Sequence, residues 1–322
     1  MLHYRRFLLS LFLLFFTFSS LEAEQYLIPP DENGQAIWVQ DQFRIIYFVS
    51  GKHAVIQEDF NKNGLPDYVE DVFAQLKVAH HVFVELVGFM DPLQSSRYKK
   101  AKYIDIYIVT KSRDGNRGRA NNTLHSANDL FDPWAKSLKI YISKEYLPQQ
   151  NNTVAHEYFH MIQYGATHIN TDWFREGQAR WAENVVAIQK PIKADIDDIR
   201  AKLNDDQWLN RLYKKSYSAG KMLWIPLAQA LPDNRAILLP HDDPILQTVY
   251  SDGTPVMKDF DFAGAEFMNM FLRHLTSYDD IVRRELNYPS WKKSQYRRNP
   301  ANSPYIIKAL KETIDTYMEL KK

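Results

Sequence analysis

Thr153-Val-Ala-His-Glu-Tyr-Phe-His160 is the stretch on which the reading of this chain turns. On a helix, residues four apart stack on one face, so the imidazoles of His156 and His160 can reach a single metal ion. Glu157 directly follows the first histidine, where its carboxylate can act on a metal-bound water instead of ligating. The bland alternative is two surface histidines on an ordinary helix. A third ligand separates the readings, because a catalytic zinc takes three protein ligands and leaves the fourth position to water. No further histidine follows at short spacing. The run Asp172-Trp-Phe-Arg-Glu-Gly-Gln-Ala-Arg-Trp-Ala-Glu183 offers two carboxylates instead, Glu176 and, two turns on, Glu183.

With its downstream glutamate, the segment resembles the gluzincins, the thermolysin-like clan of zinc metallopeptidases. Many members carry the third ligand in an Asn-Glu-Gly-x-Ala segment. Glu176-Gly177-Gln178-Ala179 matches it, with Arg175 in place of the asparagine and a shorter gap than in the best-known members. The resemblance implies zinc ligation by His156, His160 and Glu176, with Glu157 as general base. It also implies an oxyanion donor. Gluzincin aminopeptidases place a tyrosine in a Tyr-x-x-Gly segment, and Tyr217-Ser-Ala-Gly220 is similar. The other candidate segment, Phe262-Ala-Gly264, has no hydroxyl to offer. In a chain with 19 tyrosines, a core role for Tyr217 competes with the catalytic one. Glu183 could orient a ligand histidine through its second nitrogen. His80, His81, His125 and His168 lack metal-ligand spacing.

A second motif precedes the first. Asp59-Phe-Asn-Lys-Asn-Gly-Leu-Pro-Asp-Tyr-Val-Glu70 satisfies the calcium-loop pattern D-x-[DN]-x-[DN]-G-x5-E at every fixed position. Asp59, Asn61, Asn63 and Asp67 would give side-chain oxygens, Leu65 a carbonyl and Glu70 a bidentate carboxylate, while Gly64 permits the sharp turn. Two asparagines in place of aspartates predict a weak, extracellular-strength site. The incoming segment, residues 43–49, is β-rich, so a lone calcium loop with an exit helix is expected, serving to pin helix to sheet. The competing reading is a polar turn ahead of a helix N-terminus. A calcium-type loop, then strands, then HExxH and an E-G-x-A segment resembles the layout of a group of bacterial secreted gluzincins over residues 40–190.

At the N-terminus, Arg5 and Arg6 precede an apolar run at residues 7–18 and small residues at Ser19, Ser20 and Ala23. That order reads as a secretory signal peptide over residues 1–23, with an uncleaved anchor as the alternative. A secreted or periplasmic bacterial location is expected, with no stable membrane insertion after cleavage. No cysteine occurs, which excludes disulfide staples, thiol chemistry and lipoprotein processing. The 40 basic and 39 acidic residues nearly cancel, and clusters such as Arg297-Arg298 read as a solvated face, so no nucleic-acid partner is expected. Asn121-Asn122-Thr123 and Asn151-Asn152-Thr153 match the glycosylation pattern, which a bacterial source makes moot.

The expected fold is α+β. Residues 24–188 form a zincin-like subdomain with a small mixed sheet and the HExxH helix; residues 189–322 form a mainly helical subdomain, with zinc in the cleft between. Strands are predicted at 43–49, 103–110 and 138–143, a long helix at 68–87, and a polar loop at 112–127. The strand at 138–143 is either a substrate-holding edge, as the resemblance implies, or an ordinary interior strand. Helices are predicted at 195–203, 219–231, 264–275, 279–286 and 306–320, with loops over 232–255. The expected activity is hydrolysis of a peptide or protein substrate. A catalytically inactive, calcium-stabilised binding module is the alternative, and a zinc hydrolase with a non-peptide substrate a third reading. Composition leaves oligomeric state and endo- versus exopeptidase action open.

Overall fold

The computed structural model describes residues 25–110, 117–127, 132, 134–232 and 239–322. Residues 1–23, expected to be a signal peptide, lie outside the described residues. Among the described residues, six strands form one mixed sheet in the order β1-β2-β3-β4-β6-β5. They are β1 (Gln25–Ile28), β2 (Gln35–Gln40), β3 (Phe43–Phe48), β4 (Ala101–Val109), β5 (Gly118–Ser126) and β6 (Lys136–Ser143). β1, β2 and β3 pair antiparallel; β3, β4 and β6 run parallel; β5 returns antiparallel along β6. The central strands earn their place by composition. Ile104, Ile106 and Ile108 of β4 and Leu138 and Ile140 of β6 are fully buried, as expected where helices cover a sheet face.

β5 corrects the sequence reading, which made residues 112–127 a loop. Its polar residues lack apolar alternation because it has a single strand neighbour and lines a cleft, so no buried face demands alternation. β6 lies between β4 and β5 and is therefore interior; the edge facing the cleft is β5.

Helix α1 (Asp67–His80) crosses from β3 towards β4 and continues as a π-helical turn, His81–Leu86. Helix α2 (Thr153–Ala166) carries the HExxH residues and is buried at every position from Val154 to Tyr164. It packs against α1, β5 and α3 (Asp172–Ala182). At the start of α2 the Asn151 side chain accepts from the Thr153 N–H at 2.9 Å. The buried Ala155 N–H of the same first turn is met at 3.3 Å by Gln75 of α1, whose amide nitrogen donates to the carbonyls of Pro148 and Asn151. Gln75 is fully buried, so α1 and the start of α2 are joined by satisfied polar bonds inside the core.

The C-terminal part is helical: α4 (Ile196–Lys202), α5 (Asp206–Tyr213), α6 (Ile225–Ala230), α7 (Ala265–Glu285), α8 (Ser294–Arg297) and α9 (Ser303–Leu320). A π-helical turn, Gly220–Trp224, runs into α6, where Pro226 removes a backbone donor. The two helices expected at 264–275 and 279–286 are one. Leu275, Tyr278 and Val282 keep the buried stripe unbroken through Thr276-Ser277, overriding their weak propensity. α5 was not anticipated. One buried cluster extends from Ala36 in β2 to Tyr317 in α9, so sheet and helical parts share a continuous core. Among the described residues, no helix is long and apolar enough to cross a membrane.

Candidate metal centre

His156, His160 and Glu176 converge. Their ligand atoms all lie within 4.8 Å of one another, and no other group of three or more His, Cys, Asp or Glu side chains among the described residues does so. Glu176 Oε2 is 3.1 Å from His156 Nε2 and 3.6 Å from His160 Nε2. Two of the three spacings, 3.1 and 3.6 Å, are close to the roughly 3.3 Å that separates ligands standing about 2.0–2.2 Å from a tetrahedral zinc.

The far side of each imidazole is held. His156 Nδ1 pairs with Glu183 Oε1 at 2.8 Å, and His160 Nδ1 with Gln163 Oε1 at 2.8 Å. Gln163 is fixed in turn, its nitrogen donating to Gln178 Oε1 at 2.9 Å and to the Arg175 carbonyl. Both Nε2 atoms are thereby aimed at the common point, the arrangement that sets tautomer and ring orientation in metal sites. Of the two carboxylates that sequence left open, Glu176 meets the histidine Nε2 atoms and Glu183 stands behind. Gln163 was missed, although its place three residues after His160 is a legible signal.

Charge also fits a cation. Burial works against a charged His156, yet its hydrogen bonds to Glu176 and Glu183 outweigh that and raise it to about 10. His160, fully buried, is lowered by desolvation to about 4. Burial would raise Glu176, but the bonds from His156 and His160 hold it well below the carboxylate range. Arg175, which stands where the resemblance expects asparagine, turns its guanidinium to the same atoms, with Nη1 3.3 Å from His160 Nε2 and Nη2 2.5 Å from Glu176 Oε1. Arg175 thus donates to the lone pair of His160 that a metal would take, so a metal entering here displaces the guanidinium from His160.

Glu157 is 6% exposed, and burial raises its pKa to about 7 against the pull of His156. The Ala120 N–H of β5 bonds to it. Closeness to β5 is built on Gly118: a Cβ there would lie 2.5 Å from Thr153 Cγ2 and 2.7 Å from Glu157 Cγ.

Tyr217 is not a core residue. It is 42% exposed, its ring lies 5.9 Å from that of His156 under the Arg180 guanidinium, and its hydroxyl donates to Glu183 Oε2 at 2.7 Å. The glycines of the two motifs explain why they meet. A Cβ on Gly177 would come within 2.6 Å of Trp224, and one on Gly220 within 2.9 Å of the Gly177 carbonyl. α3 and the turn after Tyr217 touch backbone to backbone.

The 59–70 loop lies apart from this cleft. Asp59 accepts from Gly64 N–H at 2.8 Å and from Asn63 N–H at 3.2 Å; the side chains of Asn61 and Asn63 reach Glu70 at 3.0 and 2.7 Å. Asp67 accepts from the Phe60 N–H, and Asn63 Oδ1 from the Leu65 N–H. Gly64 takes φ +86°, the left-handed turn expected of it. Asp59, Asn61, Asn63 and Glu70 thus surround one small oxygen-rich turn just ahead of α1, which Tyr68 ties to β6 through the Ser143 carbonyl.

A cleft of about 1330 Å³ opens over the centre, lined by β5, the start of α2, Glu176, Glu183 and Tyr217. No protein-family model and no curated protein matches the chain.

Proposed function

We propose that this protein is a zinc-dependent peptidase of the gluzincin type, with His156, His160 and Glu176 as ligands and Glu157 as general base. The observation that carries the reading is the meeting of three ligand atoms, both histidines braced from behind, with a buried glutamate of raised pKa beside them. Bound there, zinc would supply an acidified water and polarise the scissile carbonyl. Glu157, poised near neutrality, takes the water's proton and returns it to the leaving amine. β5 receives the substrate backbone. The Arg117 carbonyl accepts from the Ser143 N–H, so Gly118 and Ile142 form a non-hydrogen-bonded pair and Gly118 turns its N–H and C=O to the free edge. An extended peptide can add there as a further strand. Tyr217 is the candidate oxyanion donor; to serve, its hydroxyl must leave Glu183.

The reading carries its companions with it. Residues 24–188 act as a zincin-like catalytic unit and 189–322 as a helical one closing the cleft. Calcium in the 59–70 loop is structural, and export by the N-terminal segment places the enzyme in the periplasm or outside the cell.

The test is hydrolysis of a peptide library by zinc-loaded protein, with and without chelator, alongside Glu157→Gln. Wild-type cleavage that chelator abolishes and that Glu157→Gln lowers by about a thousandfold or more supports the peptidase. Activity indifferent to Glu157→Gln rejects it. A fully loaded wild type that cuts nothing favours the inactive binding module.

A further inference from the structure

Among the described residues, five arginines line the cleft: Arg117, Arg119, Arg175, Arg297 and Arg298. The chain as a whole carries a formal charge of only +1, so this is a local concentration, not a reflection of a basic protein. Among the described residues, the carboxylates lining the same cleft are Glu157, Glu176 and Glu183, all engaged with the histidines or the reacting water of the proposed mechanism. Arg175 and Arg298 share Asp172. No carboxylate of the described residues lies within ion-pair distance of Arg117, Arg119 or Arg297.

Arg297 is the informative one. It is only 9% exposed, yet its Nη1 donates to the backbone carbonyls of Trp291 and Lys292, its Nη2 reaches Asn122 Oδ1 at 3.5 Å, and its Nε has no partner. The Nε is enclosed by protein, so an incoming anion reaches Arg297 only through its outer nitrogens, and a guanidinium held by neutral acceptors gains from such a partner. At the other end of this stretch, just before β5, Arg117 is exposed and stacks over Tyr146, with no ion pair to a carboxylate of the described residues. Arg119 follows on the same strand, exposed as well. Clefts walled by one sign of charge concentrate ligands of the other.

Building on the peptidase reading, we infer that the cleft selects acidic peptides, with substrate carboxylates engaged by Arg297 at one end and by Arg117 and Arg119 at the other. A side-chain carboxylate of Asp or Glu and the carboxylate of a peptide C-terminus share this chemistry.

The test uses full-length, zinc-loaded protein carrying Glu157→Gln, so that peptides bind without being cut. Fluorescence anisotropy compares four labelled peptides, identical except for Glu or Gln at alternate positions and for a free or amidated C-terminus. At low salt the Glu peptide is expected to bind about tenfold tighter than its Gln twin, and the advantage to shrink by about 0.5 M NaCl. Arg117→Gln and Arg119→Gln, at exposed positions where folding is not at stake, should together cut the acid-over-amide ratio at least about threefold, and Arg297→Gln likewise. A gain confined to Glu peptides assigns the carboxylate to side chains; a gain of free acid over amide in the Gln pair assigns it to the terminus. Equal binding of all four, or a ratio unmoved by the arginine variants, overturns the inference. Selective binding with no hydrolysis by the wild-type chain leaves the inference standing and removes the peptidase instead.

Discussion

At His156 two carboxylates share one imidazole, Glu176 on Nε2 and Glu183 on Nδ1, and their positions imply different work. A ligand is lost outright on substitution; a residue behind the ligand alters only its orientation and basicity. Glu183→Gln is therefore expected to weaken zinc binding by about tenfold, and Glu176→Gln by far more, in a competitive chelator titration. The reverse order would make Glu183 the ligand. His168 supports a prediction away from the centre. Its ring stacks on Trp291 at 5.7 Å, and burial lowers its pKa from 6.5 to about 4. The unfolded chain takes up that proton first, so the stability His168 confers above about pH 6.5 is lost as pH falls towards 4. Asp279, bonded to the His168 N–H and raised by burial to about 6, works oppositely: its contribution is present below about 3.8 and lost as pH rises through 6. Melting temperature followed from pH 7 down to 4 should fall less in His168→Gln than in wild type, and more in Asp279→Asn. Parallel curves for all three would show that neither group is coupled to folding.

Among the elements, β5 and α3 are positioned by glycines whose absent side chains let backbone reach the site. Gly177→Ala puts a methyl within 2.6 Å of the buried Trp224 ring and 2.9 Å of Ala219 Cβ. A loss of about 1–3 kcal/mol in urea unfolding is expected from that overpacking, with a displaced Glu176 and weakened zinc binding. An unchanged midpoint would mean the two segments part easily. The same elements mark where sequence was legible. α2 and its histidines follow from i, i+4 spacing alone, and β4 and β6 from dense β-branched runs. β5 was not legible because an edge strand bordering a cleft carries Arg, Gly and Asn, the composition of a loop. α7 was split because Thr276-Ser277 reads as a stop until the packing of Leu275 and Tyr278 is known. Glu176 and Glu183 could not be told apart by spacing alone; the direction in which each faces His156 separates them. Arg297 was read as solvated surface, since nothing in Arg297-Arg298 reveals that only the first is buried.

For the whole molecule, the centre stands on a core that runs unbroken from the sheet into the helical part, so events at its edges should reach overall stability. The 59–70 loop leads into α1, which is tied to β6 through Tyr68 and to the start of α2 through Gln75. A site of extracellular strength, with a dissociation constant on the order of 0.1 mM, gains roughly 2 kcal/mol at about 5 mM calcium. The expected outcome is a melting temperature several degrees higher with calcium, unaffected by magnesium and absent in Asp59→Ala. No shift would return the loop to a polar turn. The central claim is more direct: His156, His160 and Glu176 hold one zinc. Zinc content by mass spectrometry, after equilibration with zinc and removal of the excess, tests it on wild type and His160→Gln, with circular dichroism as the check on folding. The account predicts one zinc per wild-type chain and none retained by the folded variant. Metal-free wild type, or equal zinc in both proteins, would contradict it.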